Sequence, residues 1–480
     1  MNLNKHKEKL YFFLFFLILL FVFFNSFKIG FFADDYFYLK ISKIGNLSQF
    51  INFFSPQKSY FYRPLTSEVF YFFYHLTHSI FFLHLIVFAV YFLGLIFLFR
   101  IINKLFRDTR LSFLFIFLYA VNFTHVFQLY AINTFQEIAL FAFLTISFYF
   151  YIYNKKAASL GFFIFALLSK EAALIFPLWL LLFETFFLKK NSTKSIKNIF
   201  IFVIASVFFI FIYKNGAFSA MKLNNYSPVL SIRLMTNNFI WYLLWSLGFP
   251  SFLPDYLRTF FSMPLDSFWL KFGQPDFVIY FFSMIFYNLA ILTELLIYFF
   301  SNSLKKIIKT VFFILASFAV FITPFIFFIH KWMVRLTIPL IFIIFFQSWI
   351  LFWLIKNKKR GWRFFSVATI IFYLIFNYFG VKVHEDTSTY LLETKIYNNV
   401  RQYINIHKDE ILKYRTIFFK DTTYDLPKGW NGSEKLKMSL GDQNFLDHFF
   451  PNNNVYAIYG FENKKIPKES YVIESNIFLK

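Results

Sequence analysis

Two aspartates stand side by side in "FFADDYFYL" (31–39), at the end of a nearly unbroken run of Phe, Leu and Ile. Adjacent carboxylates can do chemistry in two ways. One can take a proton from an attacking hydroxyl, since like charges hold each other's pKa up. Alternatively, the pair can bind a divalent cation through oxygen ligands. A solvated turn that ends a helix is the third reading of Asp34 and Asp35. In "YFYRPLTSEVF" (60–70), Arg63 precedes Pro64 and so sits in extended backbone. Its guanidinium suits a two-pronged grip on phosphate, or it snorkels from an apolar flank to water. "ALLSKEAALIFP" (166–177) sets Lys170 and Glu171 between apolar stretches with no turn residue beside them. A lysine there can hold phosphate as a point charge, or simply pair locally in a turn. His75 and His78, three apart on an expected helix, have a spacing that metal ligands use, but neither they nor His84 has a third ligand placed by the sequence.

What positions these residues is a membrane. Of 480 residues, 59% are hydrophobic and 84 are Phe, more apolar surface than one soluble core can hide. The absence of Cys excludes disulfides, thiolate metal sites and a cysteine nucleophile. The net charge of +23 would suggest nucleic acid in a soluble protein. Here the basic residues fall in short clusters between apolar runs, which reads as membrane topology, with attraction to anionic lipid second; no nucleic acid is expected.

The first apolar run, Leu10–Phe27, would span roughly 27 Å as a helix and reads as an uncleaved anchor. Others lie near 80–99, 111–129, 135–153, 159–169, 172–188, 198–213, 277–300, 310–329, 336–355 and 364–380, giving about 11 transmembrane helices. With a cytoplasmic N-terminus, the clusters Arg100–Arg110, Lys155–Lys156, Lys189–Lys197, Lys305–Lys309 and Lys356–Arg363 all fall inside. That count requires the apolar stretch 237–254 to be re-entrant or interfacial on the outer face, ended by Pro250 and Pro254, with Trp241, Tyr242 and Trp245 at headgroup level. The outside then receives loop 28–66, a short turn near 124–134, the Lys170–Glu171 region, loop 214–276, the turn His330–Arg335, and everything after about 381. The last piece, 381–480, turns polar and carries strand-like runs "RTIFF", "VYAIY" and "SYVIESNIFL". The expected architecture is an α-helical polytopic membrane domain over 1–380 and a small soluble α/β domain over 381–480, in the cell membrane with the tail extracytoplasmic.

In this setting the motifs resemble those of the membrane-embedded GT-C glycosyltransferases. The likeness is to the branch that holds protein O-mannosyltransferases, the lipid A aminoarabinose transferase and the transmembrane mannosyltransferases with tetratricopeptide tails. "ADDYFYL" (33–39) stands where that family has an acidic pair in its first outer loop. "YRPLT" (62–66) with "FLHL" (82–85) is similar to its "RPL…H" stretch, "INTFQE" (132–137) to its second acidic turn, and "LSKEAALIFPLWLLLFE" (168–184) is the most specific match. The likeness covers residues 10–190 and thins to "RLMTNNFIWYLLWSLGFP" (233–250) and "HKWMVRLTIP" (330–339). It implies inverting transfer of a sugar from a polyprenyl-phosphate donor to a protein, lipid or glycan acceptor at the outer face of the membrane. Asp34 would be the base or acceptor-orienting carboxylate. Asp35 replaces the family's usual Glu. Glu137 would assist near the acceptor or a divalent cation. Arg63, Lys170 and Arg335 would hold the donor phosphate, and Glu171 and His84 would line the same cavity. The rivals are a transporter or flippase of lipid-linked sugars, which should show inverted repeats and Gly/Pro-broken helix pairs, and a polymerase or ligase of surface glycan.

Overall fold

The computed structural model describes residues 2–55, 61–221, 227–257, 268–269, 273–356, 360–387, 389–421, 432–451, 454–462 and 465–479. Lys358 and Lys359 of the last basic cluster, and parts of the expected outer loops 28–66 and 214–276, lie outside these. The chain is a helical bundle followed by a small α/β unit. Its helices are α1 (Asn2–Val22), α2 (Asp34–Ile41), α3 (Leu47–Ile51), α4 (Phe70–Thr77), α5 (Ile80–Phe106), α6 (Thr109–Ala120), α7 (Val126–Tyr130) and α8 (Phe135–Ile152). Next come α9 (Lys156–Ser169), α10 (Phe176–Leu182), α11 (Ser192–Met221), α12 (Ile232–Ser246), α13 (Pro275–Ser301), α14 (Leu304–Ile326), α15 (Pro339–Lys356) and α16 (Arg360–Thr387). The last are α17 (Thr389–Ile406), α18 (Lys408–Ile411), α19 (Gly432–Leu440) and α20 (Asn444–Phe449).

Among the described residues, seven helices are long and apolar enough to cross a membrane, or eight if the pair α6 and Phe123–Tyr130, bent by 50°, forms one span. This makes the chain a polytopic helical protein. Two further apolar helices, Phe12–Val22 and α9, are shorter than a bilayer requires on their own. The helix ends follow local chemistry. Ser79 caps α5 by accepting the Phe82 N–H at 3.2 Å, and Asp108 caps α6 by accepting those of Arg110 and Leu111 at 3.0 and 3.2 Å. Asp108 also meets Lys356 at 2.5 Å, which ties the start of α6 to the end of α15.

Two expectations change. The segment expected as an outer turn near 124–134 is instead a run of short helical turns, and Ala120–Ile132 are all buried. It can be buried because its polar groups find partners inside: Phe123 N–H on Asn377 Oδ1 at 2.8 Å, Gln128 Nε2 on the Val334 carbonyl at 2.9 Å, Thr134 Oγ1 on the Ala131 carbonyl at 2.7 Å. The aromatic residues of α12 also face the wrong way for headgroups. Trp241, Tyr242 and Trp245 are 5%, 0% and 2% exposed, because they pack inward; the Tyr242 hydroxyl accepts the Trp332 N–H at 3.2 Å. At 15 residues α12 is too short for a span, and Gly248, at φ +102, turns the chain after it.

The three strand-like runs are strands: β1 (Thr416–Lys420), β2 (Tyr456–Tyr459) and β3 (Ser470–Glu474). They form a parallel sheet in the order β2-β1-β3, with Phe418 level with Ile458 on one side and Val472 on the other. Helices α19 and α20 fill the β1–β2 crossover, as a parallel connection requires. The unit is not reached through a linker at 380: α16 runs continuously across that position to Thr387.

Basic residues gather at one end of the bundle, where Lys104, Arg107, Lys156 and Lys190 surround one cavity. By the positive-inside rule that end is expected to be cytoplasmic, and a chain without Cys makes the expectation easy to test. Single cysteines at the exposed positions Lys309 and Lys413 should react oppositely with a membrane-impermeant maleimide. Lys413→Cys should label in intact cells and Lys309→Cys only after permeabilisation. The reverse pattern would invert the topology.

Candidate functional site

The acidic motif is built by a strained turn. Ala33 has φ 50 and ψ −119, a conformation that alanine rarely adopts. It is held from outside, by the α/β unit: the Ala33 N–H donates to the Ser439 carbonyl at 2.8 Å. The Ala33 carbonyl lies against Gly441, where an added Cβ would come within 2.2 Å of it. Gly441 has φ +64, so both the space and the backbone call for glycine there. Around this contact Phe32 stacks on Tyr390 at 5.4 Å, Gly30 N–H donates to Thr394 Oγ1 at 3.1 Å, and Lys40 pairs with Asp447 at 2.7 Å.

The turn gives the two aspartates different tasks. Asp35 is fully buried. Its Oδ2 accepts the Phe32 N–H at 2.9 Å and its Oδ1 accepts the Tyr71 hydroxyl, so the carboxylate closes the turn at the start of α2. Burial pushes its pKa up to about 8, against the pull of those two hydrogen bonds. Asp34 is exposed and has no hydrogen-bond or ion-pair partner among the described residues. Protein crowds it on the sides away from solvent, and this raises its pKa, while the Arg63 charge pulls it back down. Of the expected catalytic pair, only Asp34 is free to act as a base. Each Asp35 oxygen already accepts one hydrogen bond, and among the described residues no group of three or more His, Asp or Glu could hold a metal ion.

This division makes a contrast that can be measured. In Asp35→Asn the amide oxygen can still accept from Phe32 N–H, and the amide NH₂ can donate to the Tyr71 hydroxyl. The variant should fold and keep its activity. A carboxyl whose folded-state pKa exceeds its ordinary 3.8 binds its proton more tightly when folded. Its stabilising contribution is therefore full below about pH 4 and falls as pH rises through about 8. Asp35→Asn, always neutral, should melt above the wild type at pH 8 and lose that slope. Inactivity with an unchanged melting curve would return Asp35 to the catalytic role.

The cations come from three separate segments. Arg63, 7% exposed, precedes the wide π-helical turn Leu65–Val69. Its Nε and Nη2 donate to the Glu171 carboxylate at 2.8 and 2.6 Å, and its Nη1 donates to Gln136 Oε1. The fork expected to grip phosphate is thus already closed on a carboxylate. Lys170 sits where α9 ends and the tight turn Glu171–Ile175 begins. It pairs with Glu137 at the start of α8, and their side chains are only 6% and 5% exposed. Arg335 differs. It lies in the turn Met333–Leu336 and is buried. Its Nη1 donates to the His330 carbonyl at 2.9 Å and, more weakly, to the Tyr242 hydroxyl at 3.4 Å. No carboxylate pairs with it among the described residues. The ring of Phe325 lies between Lys170 and Arg335, with Nζ at 5.1 Å and Cζ at 5.2 Å from its centroid.

The structure therefore brings Asp34, Arg63, Glu171, Lys170, Glu137 and Arg335 into one neighbourhood at the end of the bundle that carries the α/β unit. His84 stands apart. It is buried in α5, its Nε2 lies 3.0 Å from the Ile29 carbonyl, and its ring packs on Phe27. It pins the chain leading into the acidic turn. His75 likewise holds the Leu39 carbonyl at 3.0 Å and Ser42 at 3.1 Å. Sequence reading missed two contributors: Gln136, beside Glu137 in "INTFQE", and Tyr242, hidden in an apolar run. Neither carries a charge that would have drawn notice. No protein-family model, no curated protein and no solved structure matches this chain.

Proposed function

We propose that the chain is an integral membrane glycosyltransferase that moves a sugar from a polyprenyl-phosphate donor to a protein, lipid or glycan hydroxyl with inversion. The observation that carries the reading is a free, crowded carboxylate, Asp34, in the same neighbourhood as three buried cations, one of which, Arg335, has no carboxylate of its own. In such a transfer the acceptor oxygen attacks the anomeric carbon, the bond from that carbon to the phosphate oxygen breaks, and the acceptor proton must leave. Asp34 is the group free to take it. The phosphate departs with one more negative charge than it had as a diester, and a preorganised cation in a water-poor site stabilises that charge without reorganising. Arg335 fits this task best, and Lys170 and Arg63 add field while anchored by Glu137 and Glu171.

The experiment is direct transfer. Purified protein in lipid nanodiscs is given a polyprenyl-phosphate monosaccharide carrying radiolabelled sugar, with membrane extract as acceptor. Label should move to the acceptor and polyprenyl phosphate should be released. Arg335→Gln should raise the donor KM more than Arg63→Lys, because Arg63 is already spent on Glu171. Movement of intact donor across proteoliposomes with no cleavage would favour the transporter reading instead.

A further inference from the structure

At the basic end of the bundle, away from the ionic cluster, two cavities share a wall made by Leu105, Phe183 and Phe187. The first, about 290 Å³, is almost wholly apolar and runs between α5, α8, α10, α14 and α15, past Phe148, Trp179 and Phe313. The second, about 350 Å³, is a polar vestibule lined by Lys104, Arg107, Lys156 and Lys190. One carboxylate faces these four cations, and it is already saturated. Glu184 accepts from the Tyr151 hydroxyl at 2.7 Å, from Lys190 at 2.7 Å and from Asn198 Nδ2 at 3.0 Å. Lys104 lies over the Tyr153 ring at 4.8 Å and Lys156 touches Asn198 Oδ1 at 3.4 Å. The Arg107 guanidinium has no partner among the described residues. Three cations are thus left without a carboxylate beside an apolar groove inside a membrane bundle.

We infer that this end binds an anionic phospholipid, with its phosphate among Lys104, Arg107 and Lys156 and an acyl chain laid over the Phe187 wall into the groove. Charge complementarity selects the ligand. Surplus cations at a membrane surface attract anionic headgroups. A free phosphate would leave the groove without an occupant, and a zwitterionic lipid would leave the charge unmatched. The inference does not depend on sugar transfer, since it concerns the other end of the molecule.

The test is native mass spectrometry of the full chain in detergent, titrated with dioleoylphosphatidylglycerol and dioleoylphosphatidylcholine, which share their acyl chains. The wild type should retain the anionic lipid preferentially. Arg107→Gln with Lys156→Gln, both at exposed positions, should weaken that binding about tenfold or more while leaving the zwitterionic lipid unchanged. Lys104→Gln with Lys156→Gln repeats the test without touching Arg107, which ends α5 at φ 53. Equal retention of the two lipids, or an unchanged preference in both double variants, overturns the proposal. So does displacement of the bound lipid by inorganic phosphate, or equally tight binding of dihexanoylphosphatidylglycerol, since either would mean that the groove holds no chain.

Discussion

Asp34→Asn should abolish most sugar transfer while leaving the protein folded and inserted. Asparagine matches aspartate in size and hydration but cannot accept a proton at neutral pH. Among the described residues the Asp34 side chain has no hydrogen-bond or ion-pair partner that its replacement would lose, so the loss should fall on the chemical step. Removing a general base typically costs about 10²–10⁴ in rate. The expected signature is a fall in kcat with little change in donor KM. The pH profile adds a second check. Transfer needs the ionised carboxylate, so activity must rise with pH through the Asp34 pKa. Crowding places that pKa above the ordinary aspartate value, with Arg63 opposing. The acid limb of kcat/KM should therefore lie above the ordinary aspartate range and vanish in Asp34→Asn. A variant that transfers at near the wild-type rate would leave Asp34 as a solvated helix end.

Lys170→Met should produce the largest loss of stability. Lys170 and Glu137 are both nearly inaccessible, so removing the cation strands a carboxylate in a poorly solvated place. Breaking one side of a buried pair costs about 3–5 kcal/mol, far more than an exposed pair is worth. Lys170→Met combined with Glu137→Leu should recover most of that loss, because two apolar side chains can replace a buried pair at little cost. It should not recover activity if the pair supplies field to the departing phosphate. Melting of the two single variants and the double variant in the same detergent separates these effects. A Lys170→Met destabilisation below about 1 kcal/mol would mean that water screens the pair.

Much of this arrangement was written locally. Most of the apolar runs became helices and the three strand-like runs became strands, because period and length carry much of that signal. The run 172–188 is instead broken into short turns around α10. The charged residues that converge were each visible as charges out of place. Their partnerships were not. Arg63 meets Glu171 at a separation of 108 residues and Lys170 meets Glu137 at 33, and no local pattern encodes such distances. The different fates of Asp34 and Asp35 were equally hidden. Neighbours at the start of a helix point about 100° apart, so one faces Tyr71 and the other solvent, and only the placed helix says which. The inward faces of Trp241 and Tyr242 depend likewise on the turn at 332–335 packing beside them. Residues such as Gln136 are read only once their neighbours are fixed.

The contact between Ala33 and Gly441 has a consequence for how the protein is made. Ala33 leaves the ribosome long before Gly441, and the close approach of the Ala33 carbonyl to Gly441 exists only when both are present. Until then the turn that aims Asp34 lacks the hydrogen bond from Ala33 to Ser439, and only local bonds such as Phe32 N–H to Asp35 hold alanine in its unfavourable conformation. A nascent chain could thread every helix into the bilayer and still lack an aimed base. On the proposed reading, sugar transfer would begin only once the segment that holds Gly441 has reached its place, and a copy stalled before that segment would stay inert.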